Sequence, residues 1–484
     1  MPTHHRYARS GVAAVLVAVA AATVAWGGGA AGAAGRTSRA TPGAPCVAGA
    51  LPESTQGRVP LSEVDNGRAA KGYRCNTVQA SHYGDNGGYH VWRYQDRAGH
   101  VCAYYDGTVL LGRDVLTSAT RGGPGVVVLD MANPARPVQT AVLSTPAMLQ
   151  PHESLRLNAQ RGLLVAVAGS PATAPGQLDV YDVTVDCRTP VLRSTSPLGV
   201  LGHESGFAPD GRTYWAASYL SNGQATLQAI DLTNPAQPTM LLLSTAYALH
   251  GISLSDDGNR LYGADQSLHP GLQILDVSDV QQRRPDPQLH QLSFRSWPDV
   301  SIPQVSEPIT IKGRAYLMEV DEFANGKTGL VGAARLIDIA DVRRPKVVSD
   351  LRLRVHDQDA QSGDQRKDLG ATAPAQGYTA HYCSVPRRTD PHLVACSFIL
   401  SGLRIFDIRN PLHVVEVGYF NPPTLPATNE TAPATRAGSF AMSGPAWDLT
   451  HGQVWYSDAN KGFYAVQLVG AAGAALRGTS PVSR

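Results

Sequence analysis

Two short stretches hold the residue types best suited to chemistry, Pro151-His152-Glu153-Ser154 and Gly202-His203-Glu204-Ser205. Imidazole is the commonest protein ligand for copper, zinc, iron and nickel, and an adjacent carboxylate can ligate beside it or orient it. Each histidine stands a regular distance before an apolar run ending in aspartate: 30 residues from His152 to Asp182 and 28 from His203 to Asp231. The frame extends to His100 and Asp130 at 30, His250 and Asp276 at 26, and His381 and Asp407 at 26, with Glu307 standing 31 before Asp338. Five histidines and one glutamate thus share one position of a repeat.

Competing chemistries have less behind them. Both His-Glu pairs begin like the zinc-protease pattern H-E-x-x-H, but Arg156 and Phe207 stand where the second histidine is required. Ser154 and Ser205 lie near histidines, yet a serine nucleophile also needs an oxyanion hole, and no G-x-S-x-G occurs. P-loop and G-x-G-x-x-G sequences are absent. Asn429-Glu430-Thr431 matches a glycosylation sequon, which alone does not establish a glycosylating host.

The elements that must position these residues are short strands. No long segment repeats apolar residues at helical spacing without Gly or Pro, and the chain has 48 Gly and 34 Pro in 484 residues. The clearest strand recurs as Val126–Asp130, Leu178–Asp182, Leu227–Asp231, Leu272–Asp276, Arg335–Asp338 and Leu403–Asp407. Its aspartate is followed by a turn, Asn-Pro in three copies, so the expected role of these aspartates is to cap turns. Hairpin signals such as Pro209-Asp210-Gly211 and Asp256-Asp257-Gly258 separate two earlier strands, and a fourth strand follows the turn. Intervals between terminal aspartates are 52, 49, 45, 62 and 69 residues. Four-stranded units at such intervals predict an all-β, seven-bladed propeller, because a lone sheet cannot bury both faces until neighbours stack on it. A β-helix or separate sandwiches fit the strand grouping less well. The seventh unit, from Phe440 to Val466, lacks a fourth strand, and strands near 73–95 are expected to supply it and close the ring.

Strands ending Leu/Val-x-Ile/Val-x-Asp before Asn-Pro-x-x-Pro resemble the LVIVD repeat of bacterial propeller-like proteins. Gly271–Asp276 and Gly402–Asp407 are the nearest copies, and the resemblance runs from about His100 to Leu468. It implies a propeller and assigns no reaction, since fold does not determine function. Copper-dependent propellers such as the methanethiol oxidases are similar at the level of fold only.

In a propeller the first strand of each blade is innermost, so the repeat histidines should gather at one mouth of the channel. The long connections, Arg113 to Pro124, Ser170 to Gly176, Asp321 to Gly332, Arg354 to Gly377 and Asn421 to Gly438, belong to that same mouth. The candidate metal ligands are His100, His152, His203, His250, Glu307 and His381, for copper, zinc or iron. Strand alternation puts His152 and His203 toward the channel and Glu153 and Glu204 behind them against the blade-to-blade seam, with the reverse orientation as the alternative. All six cannot share one ion, whereas three or four from nearby blades can. Rim histidines bonded to backbone and channel water, and an anionic ligand in place of a metal, are the competing readings.

Residues 1–35 read as a secretory signal: a basic start at Arg6 and Arg9, a 14-residue apolar core from Val12 to Ala25, and small residues at Ala31 and Ala33. That core is short against the roughly 20 residues of a membrane span. Residues 36–72 read as a poorly ordered arm, 73–468 as the propeller and 469–484 as a disordered tail. Without residues 1–35 the chain has 39 basic and 39 acidic residues, which leaves no electrostatic reason to seek nucleic acid or anionic lipid. Six cysteines in an exported chain fit three disulfides, with Cys383–Cys396 the favoured pair. Cys75–Cys102 is a weaker local pairing that would leave Cys46 with Cys187. The function expected first is ligand binding at the His-lined mouth by a monomeric secreted protein. A metal-dependent oxidoreductase or hydrolase at the same centre, and a scaffold whose loops 354–377 and 421–438 hold an extracellular partner, are the alternatives.

Overall fold

A computed structural model describes residues 40–107, 125–168, 176–199, 203–219, 225–298, 300–324, 330–357, 363–371, 377–424 and 438–478. The signal segment, the sequon, Gly202 and most of the long connections named above lie outside these residues.

Seven antiparallel sheets form a seven-bladed β-propeller; five are built of four consecutive strands, while the last takes its outermost strand, and the sixth an added fifth strand, from the segment that precedes the first blade. The innermost strands are Val91–Gln95, Arg156–Asn158, Ser205–Phe207, Leu249–Leu254, Ile302–Ile311, Ala380–Ser384 and Ala446–Asp448, numbered here as blades one to seven. The outermost strands, such as Val191–Ser196 and Thr239–Ser244, are largely exposed.

Interior strands are apolar on both faces because each face meets a different neighbour. In blade three, Tyr214 and Ala216 pack with Leu163, Val165 and Val180 of blade two. Alternating with them, Trp215 and Ala217 pack with Leu249, Ile252 and Leu261 of blade four. A fully buried side chain of this size stabilises by about 1.5–3 kcal/mol, so no blade holds its shape without both neighbours. All six terminal aspartates cap turns: Asp130, Asp182, Asp231, Asp276, Asp338 and Asp407 each accept from the backbone N–H two residues ahead, at 2.8–3.0 Å.

Thr77–Tyr83 pairs antiparallel with Gly462–Leu468 and supplies the missing outer strand of blade seven. The rest of the 73–95 segment divides. Tyr73–Cys75 adds a fifth strand to blade six, and Val91–Gln95 is the innermost strand of blade one. The first blade therefore begins earlier than the repeat frame predicts.

Two terminal segments differ from the expected disorder. Within residues 40–72, Leu61–Asp65 is a helical turn, and Val59, Val64 and Ala69 pack with Tyr73 and Tyr419 on blade six. Arg58 and Asp368 form a two-pronged ion pair at 2.7 and 3.0 Å. At the other end, Gly470–Arg477 is a helix whose Ala472, Ala475 and Leu476 pack with Leu403, Val417 and Val466. Small residues hid this helix in the sequence, yet they let it lie close on the sheets.

The six cysteines form Cys46–Cys75, Cys102–Cys187 and Cys383–Cys396. The favoured pair stands as expected, its residues directly opposite on neighbouring strands. Cys75–Cys102 does not form, because Cys75 lies at the outer edge of blade six and Cys102 on the second strand of blade one. Among the described residues no helix is long and apolar enough to cross a membrane.

Candidate metal centre at the channel mouth

Four imidazoles converge on two buried carboxylates. His152 and His203 stand just before the innermost strands of blades two and three, while His250 and His381 are second residues of theirs in blades four and six. Adjacent rings touch in a row, with centroids 4.4 Å apart for His152–His203 and 4.1 Å for His203–His250. Glu153 Oε2 lies 3.2 Å from His203 Nε2 and 3.6 Å from His250 Nε2, and its Oε1 lies 3.2 Å from His381 Nε2. Glu322 faces the same group, 3.7 Å from His250 Nε2 and 3.3 Å from His381 Nε2.

The far sides of two rings are held by backbone. His250 Nδ1 donates to the Gln304 carbonyl at 3.2 Å and His381 Nδ1 to the Met442 carbonyl at 2.7 Å. A carbonyl can only accept, so these bonds place the hydrogen on Nδ1 and leave Nε2 directed at the carboxylates. Gly251 permits the first contact: any Cβ there would overlap the Gln304 carbonyl oxygen.

His152 is held differently. Residues 152–154 form one 3-10 turn, and His152 has φ 52°, a region that costs a side-chain-bearing residue energy. Its ring is 7 % exposed, lies 4.3 Å from that of Tyr89, and among the described residues neither nitrogen has a hydrogen-bond partner. Ser154 Oγ sits within bonding distance of the Pro151 and Val167 carbonyls, at 2.6 and 2.7 Å, and braces the turn.

Electrostatics divide the groups. Burial alone would favour a neutral Glu153, but the surrounding His250, His203 and His381 hold its carboxyl well below the usual range. Burial opposes charge on His381 too, yet its bonds to Glu153 and Glu322 raise it to about 10. His203, whose side chain is 31 % exposed, is raised against its own desolvation by Glu153. Burial, reinforced by nearby His203, drops His250 to about 3, and burial also lowers His152 well below its ordinary value. Glu322 is raised, chiefly by desolvation.

A second polar layer lies beneath. Gln304 Nε2 donates to Glu153 Oε1 at 2.7 Å and to the Tyr382 oxygen at 3.0 Å. The Tyr382 hydroxyl donates to Glu204, which also pairs with Arg156, and His90 Nε2 donates to the Glu153 carbonyl at 3.1 Å. Below this layer a cavity of about 620 Å³ opens, lined by Trp92, Phe207, Glu307, Arg388 and Trp447, with His90, Arg156 and Tyr382 at its inner end.

No family model and no curated protein matches the chain. Solved structures do resemble it. Hydrazine synthase of Kuenenia stuttgartiensis superposes with a TM-score of 0.50 at 11% identity, over 81% of this chain and 97% of that one. The periplasmic gluconolactonase of Pseudomonas aeruginosa gives 0.47 at 15% identity, over 72% and 94%. The likeness is one of fold.

Of the six ligands expected from sequence, the fold brings His152, His203, His250 and His381 together and leaves two elsewhere. His100 lies in the hairpin after the innermost strand of blade one, at the opposite mouth, and its Nδ1 donates to Asp96 at 2.8 Å. Asp186 is 3.8 Å from the same nitrogen but is engaged by Arg188. Counting back from Asp130 with the interval of the other units falls one strand late; His90, just before the innermost strand of blade one, lies in the layer beneath, where its Nε2 meets the Glu153 carbonyl. Glu307 lies further down the innermost strand of blade five, 2.8 Å from Arg388 Nε. That strand starts at Ile302, so Gln304, just beneath the cluster, stands nearer the mouth than Glu307.

Glu153 does not brace the blade seam. It points into the cluster, because a 3-10 turn does not obey strand alternation. Glu204 is one layer below. The sequence reading also missed Glu322, the last residue of strand two in blade five, which pairs with Ile302 and so ends at the same mouth. The repeat frame marks first-strand starts, whereas second-strand ends share the same rim.

Proposed function

We propose that this chain is an exported, LVIVD-type propeller that binds a transition metal at its channel mouth through His152, His203, His250, His381, Glu153 and Glu322. The observation that carries the reading is the direction of the imidazoles: backbone carbonyls hold Nδ1–H of His250 and His381, and both Nε2 atoms face a buried carboxylate pair. His152, buried without a hydrogen-bond partner among the described residues, adds a nitrogen that a metal would satisfy. Mixed nitrogen and carboxylate donors suit zinc, iron or copper. Three disulfides favour an oxidising compartment, in keeping with the proposed export.

The test is elemental analysis of the purified full chain after equilibration with zinc, iron or copper and removal of free ion. Wild type should retain metal, and His152→Ala and His203→Ala should lose at least tenfold in affinity, on the scale of lost ligands and their supports. Wild type without retained metal would reject the reading. The part-exposed His203 favours a second one, a metal-dependent oxidoreductase or hydrolase approached from the rim. Absence of turnover on redox and ester substrates by fully loaded protein would reject that.

A further inference from the structure

The position of Glu153 bears on how many ions the cluster takes. If one ion were ligated by His203, His250 and His381 together, it would sit where their Nε2 atoms converge. The Glu153 carboxylate occupies that place, with His203 and His250 against one oxygen and His381 against the other. It is not free to swing away: the side chain is 2 % exposed, Gln304 Nε2 holds Oε1 at 2.7 Å, and His90 Nε2 holds its backbone carbonyl at 3.1 Å. A carboxylate fixed between two sets of nitrogen donors is placed to bridge.

We infer that the centre holds two divalent ions bridged by Glu153, an inference that rests on the metal-binding reading above. One ion takes His152, His203 and Glu153 Oε2. Ligand atoms of these three residues lie within 4.8 Å of one another, wider than the roughly 3.4 Å between ligands around a tetrahedral zinc at about 2.1 Å, so small side-chain shifts would close them on one ion. The second takes His381, Glu322 and Glu153 Oε1, with His250 beside both carboxylates. Glu322 also presents its two oxygens to different imidazoles, Oε1 to His250 and Oε2 to His381. Among the described residues His152 is a buried imidazole with both nitrogens unpartnered, which the first ion would satisfy. Carboxylate bridging with imidazole and oxygen donors suits a pair of zinc or iron ions more than a lone square-planar copper(II).

Zinc stoichiometry tests it. The full chain is stripped with chelator, titrated with zinc chloride by calorimetry, and assayed for retained zinc after desalting. Wild type should bind two zinc per chain, and Glu322→Gln, which keeps the side chain's shape, should bind one. His381→Ala, made separately, should also bind one, so the inference does not depend on a single variant folding. One zinc in wild type, unchanged in Glu322→Gln, would overturn the two-ion centre and leave metal binding standing. No zinc in wild type, with iron and copper also unretained, would overturn both.

Discussion

At His152 the backbone is held in the left-handed region, at φ 52°. Such strain costs a residue with a Cβ about 1–3 kcal/mol, and persists where the surroundings over-determine it. His152→Ala keeps the strain and loses the imidazole, whereas His152→Gly loses both. Metal-free His152→Gly should therefore be more stable than His152→Ala by about 1 kcal/mol in urea denaturation, while both bind metal equally poorly. Equal stability would show that the turn carries no strain. The sequence showed four of the candidate ligands because they share a repeat position. It hid the two carboxylates for local reasons: Glu153 lies on a turn that breaks strand alternation, and Glu322 ends a different strand of its blade. His100 shows the opposite failure, an interval that matched while the strand beneath it was another one.

Among the elements, the segment before the ring is held by charge as well as packing. Arg404, fully buried, donates to Glu53 at 2.8 and 2.9 Å and forms an ion pair with Glu416 at 2.9 Å. One guanidinium cannot balance two buried carboxylates. Burial, partly countered by Arg404 and then reinforced by Glu416, pushes Glu53 up to about 8. A carboxyl raised above its unfolded value of 4.5 binds more protons when folded, so its stabilisation is complete below 4.5 and is lost as pH rises through about 8. Hydrogen exchange of residues 40–72 should accelerate across that interval beyond the intrinsic rate change, and Glu53→Gln should remove the excess. No excess in wild type would place the proton elsewhere. The terminal aspartates were legible because an Asx turn is a local device: one carboxylate, one amide two residues on. The docked segments were not, since Ala, Gly and Pro mark flexibility in isolation and close approach beside a sheet.

Across the whole molecule, Cys102–Cys187 ties blade one to the turn after the third strand of blade two, closing a loop with sequence separation 85. Replacing both cysteines with serine should cost about 2–5 kcal/mol and lower the melting temperature, because the unfolded chain regains the entropy of that loop. An unchanged melting temperature would mean that the blade interface alone sets the stability. Blade number and strand grouping were readable from spacing; the assignment of residues 73–95 to three blades was not, because it depends on partners at the far end of the chain. That distance also has a consequence for timing. Thr77–Tyr83 finds its partner only at Gly462–Leu468, and His381 finds its carbonyl only at Met442. Contacts so remote in sequence form late, after the intervening chain has been made and ordered. The early strand must wait, unpaired, through the synthesis of nearly the entire protein. On the proposed metal-binding reading, loading would belong to the finished ring rather than to the nascent chain, and whatever guards that waiting strand would also guard the birth of the centre.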